Sequence, residues 1–129
     1  MENAETPPIT TRDEFVGHFV RWARENASTH RCLVLVRGGA VIGMAWLAIV
    51  RRVPTPRKPD RASGDVQCVY IVPHERNAGL GSGLIDAVLD LARSLRLERV
   101  TVHSGTRAIP VYTRRGFAGS PRLLQVRDP

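Results

Sequence analysis

The chain has 129 residues, of which 43% are hydrophobic and 24% charged, proportions that exclude a disordered or fibrous protein. This length suffices for one hydrophobic core but not for two of comparable size, so we expect a single domain with one site. The net charge of +7 allows a polyanionic partner, either nucleic acid or a phosphate-rich cofactor, without choosing between them.

Three classes of protein are disfavoured by the distribution of residues. No apolar run approaches the roughly 20 residues of a membrane span, and the first ten residues lack the features of a signal peptide, so we predict a cytoplasmic protein without a membrane partner. The arginines are scattered rather than interleaved with aromatic residues, which predicts no nucleic-acid partner. Cys32 and Cys68 lie in apolar segments without metal-ligand spacing, so we expect two core thiols and no metal.

The first predicted elements are an extended arm and a helix. Residues 1–10 include two prolines and no periodic pattern, so the folded domain is predicted to comprise residues 11–129. Thr11 and Glu14 have the spacing of a capping box, which predicts a helix that ends near Asn26. Apolar side chains follow at helical spacing and are expected to face the core: Phe15, Val16, Phe19, Val20, Trp22 and Ala23.

Three strands are predicted next. Residues 32–36 and 41–50 are rich in β-branched residues, and Gly38-Gly39 between them favours a tight antiparallel hairpin. Residues 51–63 contain three prolines, several basic residues and almost no large apolar ones, so we expect a mobile loop. A third strand is expected over residues 65–72.

The second half of the chain alternates between helices and strands. Apolar residues at helical spacing predict a helix over residues 79–95, followed by a short strand over 99–103. Residues 106–115 suit a brief helix broken by Pro110, and residues 122–127 suit a terminal strand. This order of elements predicts a mixed α/β or α+β sheet.

A glycine-rich turn lies between the third strand and the strongest helix. Gly79, Gly81 and Gly83 remove Cβ atoms where the backbone could approach a ligand, and the helix that begins there presents free amides and a positive dipole end. Such a turn is an anion-binding device, and a pyrophosphate can accept several of its amides at once. The chain has no Gly-Lys pair and spaces its glycines as GxGxG, so neither a Walker loop nor a dinucleotide fingerprint fits.

Two motifs resemble those of the GNAT acetyltransferases. Ile71, Arg76, Gly79 and Gly81 match the coenzyme A motif V-x-x-x-x-[QR]-x-x-G-x-[GA] with only Ile for Val, and residues 108–117 resemble the later segment A-x-x-x-Y-x-x-x-G-F. The resemblance covers roughly residues 30 to 127. It implies a mixed, mostly antiparallel central sheet flanked by helices.

The resemblance also implies a binding site for acetyl-CoA. Backbone amides from Arg76 to Ser82 would hold the pyrophosphate, and the amide of Ile71 or its neighbour Val72 would bond the thioester carbonyl. The full set of implied cofactor-binding residues is Ile71, Val72, Arg76, Asn77, Ala78, Gly79, Leu80, Gly81 and Ser82.

Two catalytic residues follow from the same resemblance. Tyr112 corresponds to the family tyrosine that protonates or stabilises the departing thiolate; the alternative is a tyrosine that packs on the sheet. Asp65 is six residues before Ile71, a spacing that puts both on one face if no bulge intervenes, and some family members carry a carboxylate there. A strand-start aspartate that faces water is the alternative. His103 could relay protons or be a satisfied polar residue, and Gly105 replaces an asparagine of the family.

The function implied is an acetyl-CoA-dependent N-acetyltransferase in which a primary amine of a small molecule or peptide attacks the thioester directly in a ternary complex. The alternative is a non-catalytic acyl-CoA-binding regulatory module. The acceptor is expected to be chosen by the early helix and by residues 51–63, whose basic side chains favour an acceptor with an acidic portion. Exposed strand edges are compatible with a homodimer.

Overall fold

A computed structural model describes residues 7–76 and 78–129, so residues 1–6 of the predicted arm and Asn77 lie outside the described residues. Within the described parts, residues 7–10 form neither helix nor strand ahead of the first helix. The helices and strands follow in the order α1 (Arg12–Glu25), β1 (His30–Arg37), β2 (Ala40–Arg52), β3 (Arg61–Ile71), α2 (Leu80–Ser94), β4 (Val100–Val102) and α3 (Ile109–Arg114).

The strands form one mixed sheet in the order β1-β2-β3-β4. The first three are antiparallel neighbours, and β4 lies parallel to β3. The β1–β2 turn is made by Gly38 and Gly39, whose φ angles of 57° and 80° favour glycine. The predicted fold class, a mostly antiparallel mixed sheet flanked by helices, is confirmed.

The main core lies between the sheet and α2. Leu47 of β2 and Val88 of α2 are fully buried, and Val66 of β3 packs with them. The two strand side chains pack against the apolar face of α2 that the helical spacing of the sequence predicted. Burial of such aliphatic side chains contributes about 2 kcal/mol each relative to exposure, so this layer fixes how β3 and α2 meet.

The other face of the sheet is covered by α1. The capping box at its start is confirmed, because Glu14 N–H donates to Thr11 Oγ1 at 3.1 Å and Thr11 N–H donates to Glu14 Oε1 at 2.9 Å. Trp22 packs on Trp46 of β2 with ring centroids 5.5 Å apart. The expectation of a broad buried stripe was wrong, since no residue of α1 is fully buried and Phe15, Val16 and Val20 are exposed.

The predicted mobile loop over residues 51–63 was placed wrongly. β2 continues to Arg52 and β3 begins at Arg61, so the connection is shorter, and an isolated bridge between Thr55 and Lys58 orders it. Arg61 is the first residue of β3, and its Nη2 donates to Glu98 Oε1 at 2.6 Å, an ion pair between residues 37 apart in sequence.

Two further predictions near the end of the chain need correction. Pro110 lies in the first turn of α3, where its missing N–H costs nothing, so it begins a helix rather than breaking one. A separate 3₁₀ turn, Thr106–Ala108, precedes α3. Residues 122–127 form no strand, and Leu124 and Val126 are 85% and 74% exposed. A strand needs a partner edge, and within the described residues this segment pairs with none.

Both cysteines are exposed, which contradicts the prediction of core thiols. Cys32 lies on β1 at the sheet edge, opposite Trp46, and Cys68 lies in a bulge of β3 with φ 57°. Partial desolvation and the neighbouring Cys68 raise the pKa of the Cys32 thiol. Apolar neighbours in sequence therefore did not mean burial at either position.

Candidate active site

The glycine-rich turn takes the form that an anion-binding site requires. Gly79 adopts a left-handed conformation with φ 77° and begins α2 without a side-chain cap, and the first turn of the helix carries no acidic residue. Gly83 N–H is the first to reach a helix carbonyl, at 3.4 Å from Gly79 O, so the amides before it have no helical partner among the described residues. A Cβ built on Gly79 or Gly81 would meet no atom within 4 Å, so the space in front of these amides is open.

Ile71 directs its backbone into a gap between β3 and β4. Val72 N–H donates to Ile42 O of β2 at 2.9 Å, and because adjacent residues of a strand point their amides in opposite directions, the Ile71 N–H points away from β2. On that side the pairing of β3 with β4 ends at Val66 and Val102. The two strands therefore separate at the Ile71 amide, which has no hydrogen-bond partner in residues 7–76 and 78–129 and points to where a ligand could accept from it.

The Arg76 side chain lies at the mouth of the same gap. Its Nε donates to Ile71 O at 2.7 Å, and its guanidinium lies 5.2 Å from the centre of the exposed Tyr70 ring. The Arg76 backbone amide reaches Pro73 O at 3.3 Å within the turn Pro73–Glu75. The sequence predicted Arg76 only as a backbone donor, and its side-chain contact has no local sequence signal.

Asp65 lies on the face of the sheet opposite to Ile71, so the prediction of a shared face was wrong. Asp65 pairs with Ala48 on the side of α1, whereas Ile71 pairs with Gly43 and packs on the core beneath α2. The bulge at Cys68 inserts an extra residue and reverses the alternation after it. A bulge was the stated exception to the spacing argument, and it occurs.

The Asp65 carboxylate is held in a small hydrogen-bonded group. Thr101 Oγ1 of β4 donates to Asp65 Oδ1 at 2.6 Å, and Gln67 Nε2 donates to Oδ2 at 3.1 Å. Both donors fix the orientation of the carboxylate. Thr101 was not predicted as part of the site, because its contact joins residues 36 apart in sequence.

Tyr112 is buried on α3, with 9% of its surface exposed. Its ring packs edge-on against Phe117 at 5.3 Å between centroids. Burial raises the pKa of the Tyr112 phenol, so the hydroxyl stays protonated and able to donate at neutral pH. No hydrogen bond joins this hydroxyl to Asp65 or Ile71 in the part of the chain that the structure describes.

The remaining polar residues of the prediction are distributed around β4. His103 follows β4 and is exposed, and Ser104 Oγ donates to the carbonyl of Gly105 at 2.8 Å.

Across residues 7–76 and 78–129, no group of three His, Cys, Asp or Glu side chains is arranged to hold a metal ion. None of the helices described is both long and apolar enough to cross a membrane.

Similarity to known proteins agrees with this geometry. The sequence model of the Acetyltransferase (GNAT) family matches residues 2–117. Glucosamine 6-phosphate N-acetyltransferase of Trypanosoma brucei brucei is 31% identical over 88 residues, which are 68% of this chain and 58% of that protein. The chain thus spans less than two thirds of the length of this relative.

Two solved structures superpose on 95% of the chain. A Trypanosoma brucei acetyltransferase is 26% identical, with a TM-score of 0.72 over 83% of its own chain. A predicted acetyltransferase of Clostridium acetobutylicum, solved with acetyl-CoA, is 18% identical, with a TM-score of 0.74 over 79% of its chain. Fold and site together define an α/β domain that offers backbone amides to an anion at the end of its third strand. The chain belongs to the GNAT family of acetyltransferases, as its two motifs predicted.

Proposed function

We propose that this protein is an acetyl-CoA-dependent N-acetyltransferase that acetylates a primary amine by direct attack in a ternary complex. The observation that carries the proposal is the juxtaposition of two donors. The amides that begin α2 suit a pyrophosphate, and the free Ile71 N–H faces the gap between β3 and β4, where a thioester carbonyl would lie. The hydrogen bond from Arg76 Nε to Ile71 O would have to break as acetyl-CoA enters the gap.

The proposed chemistry assigns one step to each residue. The Ile71 N–H stabilises negative charge on the carbonyl oxygen when the amine nitrogen bonds to the acetyl carbon. Tyr112 donates its phenolic proton to the sulfur as the carbon–sulfur bond breaks, and burial keeps that proton in place beforehand. The amine proton leaves to water in the gap, and we assign its final acceptor as Asp65, which lies about 20 Å along β3 from Ile71 and can be reached only through a chain of waters. The Tyr112 phenolate regains its proton from solvent.

The proposal is tested by binding and by turnover. Calorimetric titration of acetyl-CoA is expected to show binding that dephospho-CoA and ATP reproduce only weakly. Thiol release with a panel of amines, including glucosamine 6-phosphate and short peptides, is expected to identify an acceptor. Binding without turnover of any amine would favour the regulatory-module alternative, and no binding would contradict both.

Asp65→Asn is expected to lower kcat/KM by about 100-fold, because the amide cannot take a proton. The amide oxygen can still accept from Thr101, so the fold should be retained. Asp60→Asn, on an exposed residue of the β2–β3 turn, is the matched control and should leave kcat/KM unchanged. Wild-type kinetics in Asp65→Asn would limit Asp65 to a structural role.

We propose a small-molecule or peptide amine as the acceptor. The named substrate of the Trypanosoma relative supports a small molecule. The two unbridged cysteines suit the reducing cytoplasm, which we propose as the compartment. A homodimer and the absence of a nucleic-acid partner stay predictions, to be tested by light scattering and by the salt dependence of binding.

A further inference from the structure

A cavity of about 570 Å³ lies along the free edge of β4. It is lined by residues 99–104 and by residues 117–120 with Arg122 and Leu123. Tyr112 contributes to the wall from α3, but none of residues 78–83 lines the cavity, so it is separate from the glycine-rich turn.

The edge of β4 has unused backbone groups. Gly64 N–H of β3 donates to Arg99 O at 2.8 Å, and the parallel register pairs Gly64 with Val100. In such a ladder alternate residues bond to the neighbouring strand, so the N–H and C=O groups of Val100 and Val102 point away from β3. The cavity therefore exposes the two donors and two acceptors that a further strand would need.

The charged side chains that line the cavity are basic. Arg99, His103 and Arg122 line it, and no Asp or Glu does so among the described residues. Within the same residues, neither Arg99 nor Arg122 forms an ion pair. Apolar side chains complete the walls, including Ile109 and Phe117.

We propose that this cavity is a docking site for an extended, acidic peptide segment of another protein, which adds to β4 as a fifth strand. The peptide backbone would bond the edge of Val100 and Val102, its alternate apolar side chains would fill the walls, and its carboxylates would meet Arg99 and Arg122. A second copy of this chain is a poorer occupant, since its unpaired segment 122–127 carries two arginines and no acid.

The proposal is tested with a fluorescent, N-acetylated peptide Glu-Val-Thr-Val-Thr-Glu and its counterpart Lys-Val-Thr-Val-Thr-Lys. Anisotropy titrations of the full chain should favour the acidic peptide by at least about tenfold, with a preference that salt weakens. Arg99→Glu combined with Arg122→Glu should reverse the preference. Both residues are exposed, and an unchanged thermal melt confirms that the variant is folded.

Backbone methylation tests strand addition itself. Acidic peptides N-methylated at one set of alternate residues should lose binding, whereas methylation of the other set should be tolerated, because only one set faces β4. Equal affinities for the acidic and basic peptides, equal effects of the two methylation patterns, or no saturable binding would overturn the proposal. So would a dimer in light scattering that Leu124→Ser with Val126→Ser dissociates, since the occupant would then be a second copy.

Discussion

Gly79→Glu is expected to weaken acetyl-CoA binding by at least about 100-fold in calorimetric titration. The glutamate side chain would extend into the open space before the uncapped amides of α2, where its carboxylate repels the pyrophosphate. The left-handed backbone with φ 77° adds a cost of about 1 to 2 kcal/mol, which should lower the melting temperature without preventing folding.

Two variants separate charge from backbone strain. Gly79→Asn keeps a residue that tolerates the left-handed conformation and adds no charge, so binding should fall much less. Gly119→Glu adds the same carboxylate at an exposed glycine outside the turn and should bind normally. Unchanged affinity in Gly79→Glu would contradict the assignment of the turn as the pyrophosphate site.

Tyr112→Phe is expected to lower kcat by about 100-fold and to leave the affinity for acetyl-CoA nearly unchanged, because only the departing thiolate needs the hydroxyl. The phenylalanine ring keeps the contact with Phe117, so the thermal stability should change little. Burial raises the pKa of the phenol, so any loss of wild-type activity from its ionisation should begin only at a pH above that at which an exposed tyrosine ionises. That alkaline limb should be absent in the variant.

Tyr70→Phe is the matched control for the loss of a hydroxyl. Tyr70 is 42% exposed and contacts the Arg76 guanidinium through its ring face, which phenylalanine preserves. Steady-state kinetics should be close to those of the wild-type protein. If Tyr112→Phe also retained wild-type kcat, Tyr112 would be a packing residue and another group or water would supply the proton.

Predictions that depend on short stretches of sequence were confirmed. The capping box places the start of α1, the Gly38-Gly39 pair places the first hairpin, and the helical stripe through Val88 identifies the buried face of α2. The glycine-rich turn belongs to the same group, because its conformation follows from residues within one turn of chain. Each of these structures is stabilised mainly by neighbours in sequence.

Two predictions that depend on the register or the partner of a strand were wrong. The bulge at Cys68 is a feature of the pairing between β3 and β2, and a cysteine gives no sequence signal for a left-handed conformation. This bulge places Asp65 and Ile71 on opposite faces of the sheet. The strand predicted over residues 122–127 had suitable composition, but composition alone cannot supply the edge with which a strand pairs. The ion pair of Arg61 with Glu98 could not be predicted either, because the two residues are far apart in sequence.

The length of β3 separates the two ends of the molecule. Ten residue steps from Arg61 to Ile71 span about 33 Å at 3.3 Å per step, so the β2–β3 turn lies far from the glycine-rich turn. For an acceptor bound beside Ile71 this distance disfavours residues 51–63 as the segment that chooses it, and the expectation stays a prediction. The same distance makes the β2–β3 turn a suitable attachment point in protein engineering. An affinity peptide inserted there would immobilise the domain on a support with its glycine-rich turn facing solution, and a dye attached there would label it away from that turn.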